Sequence, residues 1–211
     1  MDSVTEAAER QVAEELYRQV SERAEALELT QTLRALPFMR EKHRNQYRKG
    51  TGRVPYMVHP LTMALHALSL GITDDTLLAA VLLHDVVEDT GTDPEELPVS
   101  PEARDIVRRL SYNTYPGPKS VILPRYYAGI HEEPRACLIK CLDRCSNLSG
   151  MAGAFTRERI REYMLQTEEE VLPLLKEIAA HPGWGDAAWL LRYQMEALMD
   201  TCRNLLERFS G

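Results

Sequence analysis

The fold of this chain is built around the segment LLAAVLLHDVVEDT, residues 77–90. Its first seven residues are all apolar, which is typical of a helix in the middle of a protein core rather than at its surface. Four ionisable residues follow within the same segment, namely His84, Asp85, Glu88 and Asp89. The segment therefore predicts a central buried helix whose last turns leave the core at the floor of a site.

Helical spacing of apolar residues dominates the rest of the chain as well. We predict helices over about residues 3–28, 30–49, 60–71, 73–91, 100–110, 124–131, 134–149, 156–179 and 184–209, with loops at 50–60 and 112–122. Because no strand pattern competes, the expected fold class is all-α, a single helical bundle. We divide it into an N-terminal helix that packs on the core (1–29), a main domain (30–180) and a C-terminal helix (181–211). Either terminal helix could instead bind a second copy, so a homo-oligomer stays open.

Composition narrows the class of protein. The chain has 211 residues, 44% of them hydrophobic, and a net charge of -7, which argues against broad binding to nucleic acids or membrane surfaces. No apolar run approaches the roughly 18 residues of a membrane span. The polar, acidic start MDSVTEAAER is unlike a signal peptide, so we expect a cytoplasmic protein. We expect Cys137, Cys141 and Cys145, spaced by four, to be small buried side chains.

The acids after the apolar run form a strip. His84 and Glu88 are four residues apart, as are Asp85 and Asp89, so each pair lies on one helical face and the two faces adjoin. Buried carboxylates are costly unless a cation pairs with them. Imidazole and carboxylate ligands suit Mn, Fe, Zn or Mg. The strip therefore indicates either a divalent-metal site or a solvated helix end with ordinary surface charges.

Two other segments offer further ligands. His59 precedes a proline where a loop meets a helix, a common place for a functional residue. Asp143 lies in the apolar segment ACLIKCLDRCSNL and shares a helical face with Lys140 and Asn147. By spacing alone, Asp143 could form a salt bridge with Lys140 or Arg144, or it could supply another metal ligand.

The segment from residue 40 to 53 is strongly basic. It contains one acidic residue, Glu41, and six basic ones: Arg40, Lys42, Arg44, Arg48, Lys49 and Arg53. In a protein of negative net charge, such a segment is either an exposed basic face or a local surface for a polyanionic ligand.

The ordered blocks PYMVHP, LLHDVVEDT and IKCLDRCSNL resemble the signature blocks of HD-domain phosphohydrolases. The longer segment HRNQYRKGTGRVPYMVHP makes the chain most similar to the hydrolase half of RelA/SpoT-type alarmone enzymes. The resemblance covers about residues 30–175 and leaves only about 35 residues after it. We therefore expect a small stand-alone alarmone hydrolase without a synthetase domain, with residues 30–180 as its HD domain.

The resemblance implies specific roles for the site residues. One divalent metal, usually Mn²⁺, would be bound by His59, His84, Asp85 and Asp143. Glu88 and Asp89 would orient the attacking water and take its proton, with Glu88 the better candidate for the base because it shares a face with His84. The substrate-binding residues implied by the family pattern are Arg48, Lys49, Asn147, Arg159 and Tyr163, to which we add Arg53.

The implied substrate is a guanosine or adenosine nucleotide with a 3′-pyrophosphate, such as (p)ppGpp. Its hydrolysis would release pyrophosphate and, for guanosine, GDP or GTP. The chain departs from the family pattern at Ser146, where a histidine is common, and at residues 148–150, which puts base specificity in question. Segment 112–131 does not align with the family, and Lys119 or Tyr126 within it could reach a ligand.

Two alternatives remain. A different HD phosphatase would act on a nucleoside monophosphate or on the phosphate of NADPH, although the QYRK and PY residues favour the alarmone reaction. A non-catalytic alarmone-binding regulator should have lost a metal ligand or the Glu88–Asp89 pair, and this chain keeps all of them.

Overall fold

The computed structural model describes residues 3–50 and 53–208. Its α-helices are α1 (Ser3–Ala26), α2 (Thr30–Lys42), α3 (Val58–Ser69), α4 (Asp75–Leu83), α5 (Val86–Thr90), α6 (Pro101–Leu110), α7 (Lys119–His131), α8 (Pro134–Ala154), α9 (Arg157–Gln166), α10 (Leu175–Ala180) and α11 (Gly185–Arg208). The described residues form no strand, and an isolated bridge joins Tyr47 to Pro55. This confirms the predicted all-α class.

Helix α4 is the centre of the bundle. Every side chain from Leu77 to Leu83 is fully buried, and the helix packs against α2, α3, α6 and α8. Burial of a large apolar side chain of this kind contributes roughly 1.5–3 kcal/mol. The predicted helix over 73–91 begins later than expected, because Asp74 caps it: the Asp74 carboxylate accepts from the Leu77 amide at 3.0 Å, and the helix starts at Asp75.

The predicted helix over 73–91 is interrupted at the functional residues. Helix α4 ends at Leu83 and α5 begins at Val86, so His84 and Asp85 occupy a turn between them. The His84 ring nitrogen Nδ1 lies 2.8 Å from the Val81 carbonyl, where it competes with the backbone amide that would continue the helix. Helix α5 ends at Gly91, whose left-handed φ of 66° suits glycine.

Two other predicted helices are shorter than expected. Helix α2 ends at Lys42 rather than at residue 49, because the chain turns back and the Arg48 amide donates to the Val54 carbonyl at 2.9 Å. The helix predicted over 156–179 divides into α9, a π-turn (Thr167–Val171), a 3-10 turn (Leu172–Leu174) and α10. Pro173 lies in that division and lacks the amide that a continuous helix needs.

Both terminal helices pack on the bundle. Helix α1 buries Ala13, Val20 and Ala24 and contacts α2 and α3, and α11 buries Leu191 and Met195 and contacts α8 and α10. The division into segments 1–29, 30–180 and 181–211 stays a prediction. The four cysteines, Cys137, Cys141, Cys145 and Cys202, are buried and free. Among the described residues, none of the helices has the length and apolar character needed to cross a bilayer.

We expect Leu82→Ala to lower the free energy of unfolding by about 2–5 kcal/mol, because it leaves a cavity in the central helix. Urea unfolding followed by circular dichroism measures this loss. The matched control is Leu205→Ala on α11, whose side chain is 44% exposed. Equal losses in the two variants would contradict the central position of α4.

Candidate active site

Three helices distant in sequence bring potential ligands to one point. His59 lies in the first turn of α3, His84 follows the end of α4, and Asp143 lies in the middle of α8. One ligand atom from each lies within 4.8 Å of the others, and all three residues are buried. The converging atoms therefore meet in the interior, beside the end of the central helix.

Asp85 joins this cluster through one carboxylate oxygen. Its Oδ2 lies 2.9 Å from His84 Nε2 and 3.5 Å from His59 Nε2. On the other side, Asp143 Oδ1 lies 3.3 Å from His59 Nε2. Asp85, the fourth residue that the resemblance implied as a ligand, thus lies beside the three converging residues and contacts both histidines.

Both histidines present Nε2 to the cluster. His84 Nδ1 lies 2.8 Å from the Val81 carbonyl, to which it must donate, so its proton is fixed on that side. His59 Nδ1 lies 2.9 Å from the hydroxyl of Ser146. Hydrogen bonds of this kind to the outer ring nitrogen are the usual way in which proteins orient a metal-binding imidazole.

The chemistry of the cluster fits a divalent cation. His84 Nε2 is buried and makes no hydrogen bond of acceptable geometry among the described residues, although Asp85 Oδ2 lies only 2.9 Å away. A buried ring nitrogen beside a carboxylate oxygen is an arrangement that suits ligation of one ion. Asp85 and Asp143 supply two negative charges, which match a dication, and histidine with carboxylate suits several divalent metals.

The electrostatics of the two histidines differ. Burial alone would lower the pKa of His84, but the carboxylates of Asp85 and Asp143 outweigh burial and raise it to about 9. For His59, burial dominates and lowers the pKa, even though Asp143 opposes the shift. The neighbouring carboxylates therefore favour the protonated form of His84, whereas burial favours the neutral form of His59.

The two aspartates remain ionised. Burial would raise the pKa of each, but His84 holds the pKa of Asp85 below its usual range, and Lys140 and His59 do the same for Asp143. Lys140 Nζ lies 3.2 Å from Asp143 Oδ2. Asp143 thus forms the predicted salt bridge with Lys140 through one oxygen while its other oxygen faces His59.

Arg144, the other predicted salt-bridge partner of Asp143, points elsewhere. Its guanidinium donates to the Thr167 hydroxyl and the Gln166 side chain, both at 3.1 Å. It also lies 3.9 Å from the ring centre of Tyr163. Arg144 therefore ties α8 to the end of α9 and supports the wall of the site.

Tyr56 lies in the family block PYMVHP, but the sequence predicted no role for it. Its hydroxyl donates to Asp85 Oδ2 at 2.5 Å. Burial, followed by the negative charge of Asp85, raises the pKa of Tyr56, so the phenol keeps its proton and its donor role. Tyr56 lies three residues before His59 in a loop, where no periodic pattern could predict its direction.

Glu88 and Asp89 lie at the rim. Both are solvent-accessible, yet the surrounding protein still desolvates each carboxylate enough to raise its pKa above the usual value. The Tyr112 amide donates to Glu88 Oε2 at 2.8 Å and fixes one of its two oxygens. Tyr112 belongs to the segment that could not be aligned, so this contact was not predicted. Glu88 is thus held against the turn that begins at Tyr112.

One member of the basic segment reaches the cluster. Arg48 donates to Asn147 Oδ1 at 3.2 Å, and Asn147 Nδ2 donates to Asp143 Oδ1 at 2.6 Å. Arg53 instead pairs with Glu6 of α1 at 3.3 Å. Lys49 is exposed. The hydrogen bonds Arg48–Asn147–Asp143 therefore link the basic segment, through Asn147, to the cluster.

The remaining predicted contacts lie around Tyr163. Arg159 pairs with Glu162 at 3.2 Å, and its guanidinium is 5.9 Å from the ring centre of Tyr163. Tyr126, considered as a ligand contact, is buried and donates its hydroxyl to the Leu110 carbonyl at 3.2 Å. The side chain of Lys119 lies outside the described residues.

Comparisons with known proteins find relatives that share one name. No protein-family model matches the chain. It is 35% identical over 147 residues to the guanosine-3′,5′-bis(diphosphate) 3′-pyrophosphohydrolase MESH1 of Xenopus tropicalis, covering 66% of this chain and 82% of that protein. The human protein of the same name is 35% identical over 144 residues, which are 64% of this chain and 80% of the relative.

Two further similarities extend the comparison. A guanosine-3′,5′-bis(diphosphate) 3′-pyrophosphohydrolase of Aquifex aeolicus is 30% identical over 180 residues, which are 82% of this chain but 25% of that longer protein. The solved structure of a metazoan ortholog of SpoT that hydrolyses ppGpp superposes with a TM-score of 0.65 at 24% identity, covering 82% of this chain and 95% of that one. The structural likeness shows a shared helical fold.

Proposed function

The chain belongs to the family of MESH1-type guanosine-3′,5′-bis(diphosphate) 3′-pyrophosphohydrolases, and from this premise we propose that it hydrolyses the 3′-pyrophosphate of a guanosine (or adenosine) alarmone. With (p)ppGpp, the products are pyrophosphate and GDP or GTP, and the reaction places the protein in the stringent response. The observation that carries the proposal is the buried convergence of His59, His84 and Asp143, with Asp85 in contact with both histidines.

A divalent metal suits this cluster, and for the identity of the ion we propose Mn²⁺, bound by His59, His84, Asp85 and Asp143. A metal bound by such ligands supplies Lewis-acid chemistry, since it polarises a phosphoryl oxygen and lowers the pKa of water. The protein residues around it hold the ligands in place. Lys140 pairs with Asp143, and the Tyr56 hydroxyl donates to Asp85.

Glu88 is our proposed general base. Its Oε2 is held by the Tyr112 amide, which leaves Oε1 for a water molecule, and its raised pKa makes it a better proton acceptor than an ordinary glutamate. The water oxygen attacks the phosphorus joined to the ribose 3′ oxygen, and the bond between that phosphorus and the 3′ oxygen breaks. One water proton passes to Glu88, and the departing ribose 3′ oxygen takes up a proton from solvent, so the products are pyrophosphate and a nucleotide with a free 3′-hydroxyl. Asp89, next to Glu88 at the rim, helps to orient the water.

The substrate is a polyanion, and Arg48 is the best-placed cation to receive it. Its guanidinium is already beside Asn147 and can bind two phosphate oxygens at once. We propose that Arg48 and Asn147 bind the phosphates and sugar, with Lys49 and Arg159 at the entrance and Tyr163 along the wall. Arg53 can contribute only after it leaves Glu6, with which it pairs at 3.3 Å.

A nucleotide panel tests this proposal. Metal-stripped protein is incubated with Mn²⁺, Mg²⁺ or Zn²⁺ and with guanosine and adenosine 3′-pyrophosphates, nucleoside monophosphates and NADPH. We expect pyrophosphate release from a 3′-pyrophosphorylated nucleotide, fastest with Mn²⁺ and absent without metal.

The same panel distinguishes the alternatives. Inorganic phosphate from a monophosphate or from NADPH, without pyrophosphate from any substrate, would identify another HD phosphatase. Tight alarmone binding without turnover in any metal would identify a regulator. Either result would contradict the proposed reaction.

A further inference from the structure

Ser146 lies on α8, one helical turn after Asp143, and its hydroxyl is 2.9 Å from His59 Nδ1. The contact joins residues 87 positions apart in the sequence. Ser146 is also a position at which this chain departs from the family pattern described above. A residue that touches a ligand rather than the reaction centre can still control how well that ligand binds its ion.

The burial of His59 makes this contact important. Only 1% of the His59 side chain is exposed, so water cannot satisfy Nδ1 in place of Ser146. Among the described residues, the Ser146 hydroxyl is the hydrogen-bond partner found for that nitrogen. Loss of the hydroxyl would leave the buried Nδ1 of His59 without a hydrogen-bond partner. This would destabilise the tautomer that carries its proton on Nδ1, because that N–H would have no acceptor.

A serine hydroxyl can both accept and donate. When Nε2 of His59 faces a cation, the proton must lie on Nδ1, and the Ser146 oxygen accepts it. When the cluster is free of metal, the proton can lie on Nε2, which is 3.3 Å from Asp143 Oδ1, and the hydroxyl then donates to Nδ1. Ser146 therefore stabilises His59 in both forms.

The position of Ser146 also fixes the distance between the His59 ring and helix α8. Asp143 and Ser146 belong to the same helix, so the hydrogen bond anchors the His59 ring to the helix that carries the other ligand. We propose that Ser146 is a positioning residue that sets the proton position and orientation of His59 for metal binding. This inference rests on the metal site of the proposed function.

Metal binding without substrate tests the inference. The dissociation constant of Mn²⁺ is measured by calorimetry on wild-type protein and on three variants of Ser146, and circular dichroism confirms that each variant is folded. We expect Ser146→Ala and Ser146→Cys to bind about 10–100-fold more weakly, as for other residues that orient a metal-binding histidine. The cysteine variant nearly preserves side-chain volume, so a loss in it reflects the hydrogen bond. Ser146→Thr keeps the hydroxyl and should restore affinity.

The matched control is Ser149→Ala on the same helix. Ser149 is exposed and its hydroxyl donates to the Ser146 carbonyl at 2.7 Å, away from His59. Its affinity for Mn²⁺ should equal that of the wild type. A second measurement, the ¹⁵N shifts of His59 in metal-free protein, should change in Ser146→Ala and stay unchanged in Ser149→Ala.

The outcomes separate this inference from the proposed function. If wild-type protein binds no divalent metal, the metal site and the role of Ser146 are both wrong. If wild-type protein binds Mn²⁺ and the folded alanine and cysteine variants bind it equally well, only the role of Ser146 is overturned. Weaker binding in both, with recovery in the threonine variant, supports it.

Discussion

Asp85→Ala should abolish both pyrophosphate release and metal binding while the helical fold remains. The Oδ2 atom of Asp85 contacts both histidines of the cluster, at 2.9 and 3.5 Å, so its removal takes away one of the two proposed anionic ligands. A bound metal contributes several kcal/mol to phosphoryl chemistry, so we expect a rate loss of about 10³-fold or more. The pyrophosphate assay, calorimetry with Mn²⁺ and circular dichroism measure the three quantities.

Two control variants sharpen this prediction. Asp85→Asn keeps the shape of the side chain and an oxygen that can accept from Tyr56, but it removes the charge, so it should also lose the metal. Asp200→Ala removes an aspartate on α11 that is 65% exposed and pairs with Arg203, and it should behave as wild type. Retained turnover in folded Asp85→Ala would show that the metal site is misassigned.

Glu88→Gln is expected to slow turnover by about 10²–10⁴-fold, the range that general-base catalysis contributes. The amide oxygen of glutamine can still accept from the Tyr112 amide, so the side chain stays in place, but it cannot take a proton from water. Because Glu88 is exposed and its carboxylate accepts from the Tyr112 amide rather than contacting either histidine, Mn²⁺ affinity should be unchanged. Steady-state rates and calorimetry distinguish the two effects.

The dependence of the rate on pH provides a second test of Glu88 as the base. A base works in its ionised form, so the wild-type rate should fall as the pH drops through the pKa of Glu88. Desolvation raises that pKa above the ordinary glutamate value, so the fall begins at a higher pH than for a free glutamate. The glutamine variant should lose this acid limb, and the exposed control Glu96→Gln should keep it. A wild-type rate in Glu88→Gln, with the loss appearing in Asp89→Asn instead, would assign the base to Asp89.

The sequence predicted the helical class and the central helix because seven consecutive apolar residues leave no polar face. It did not predict the turn at His84 and Asp85, since that turn depends on a side chain that competes for the Val81 carbonyl. Helical periodicity describes the backbone pattern and contains no information about such local competition. The break matters, because it sets the directions in which both ligands point.

The proposed metal ligands also differ in how far the sequence predicted them. Spacing along one helix suggested His84 and Asp85, but spacing alone left Asp143 open between a salt bridge and a ligand. Only the ordered blocks of the family resemblance linked Asp143 to His59, which lies 84 positions earlier in the sequence. The pairing of Arg53 with Glu6 was missed because ion pairs between distant surface residues have no sequence signature.

The chain of hydrogen bonds from Arg48 through Asn147 to Asp143 has a thermodynamic consequence. On the proposed function, a phosphate that draws the Arg48 guanidinium toward itself would also alter the hydrogen bond from Asn147 to Asp143, and nucleotide and ion would then bind with a coupling free energy. Linkage makes this coupling reciprocal: whatever factor the ion contributes to nucleotide affinity, the nucleotide contributes to ion affinity. Under the proposed function, the concentration of alarmone would then influence how much of the protein carries its ion.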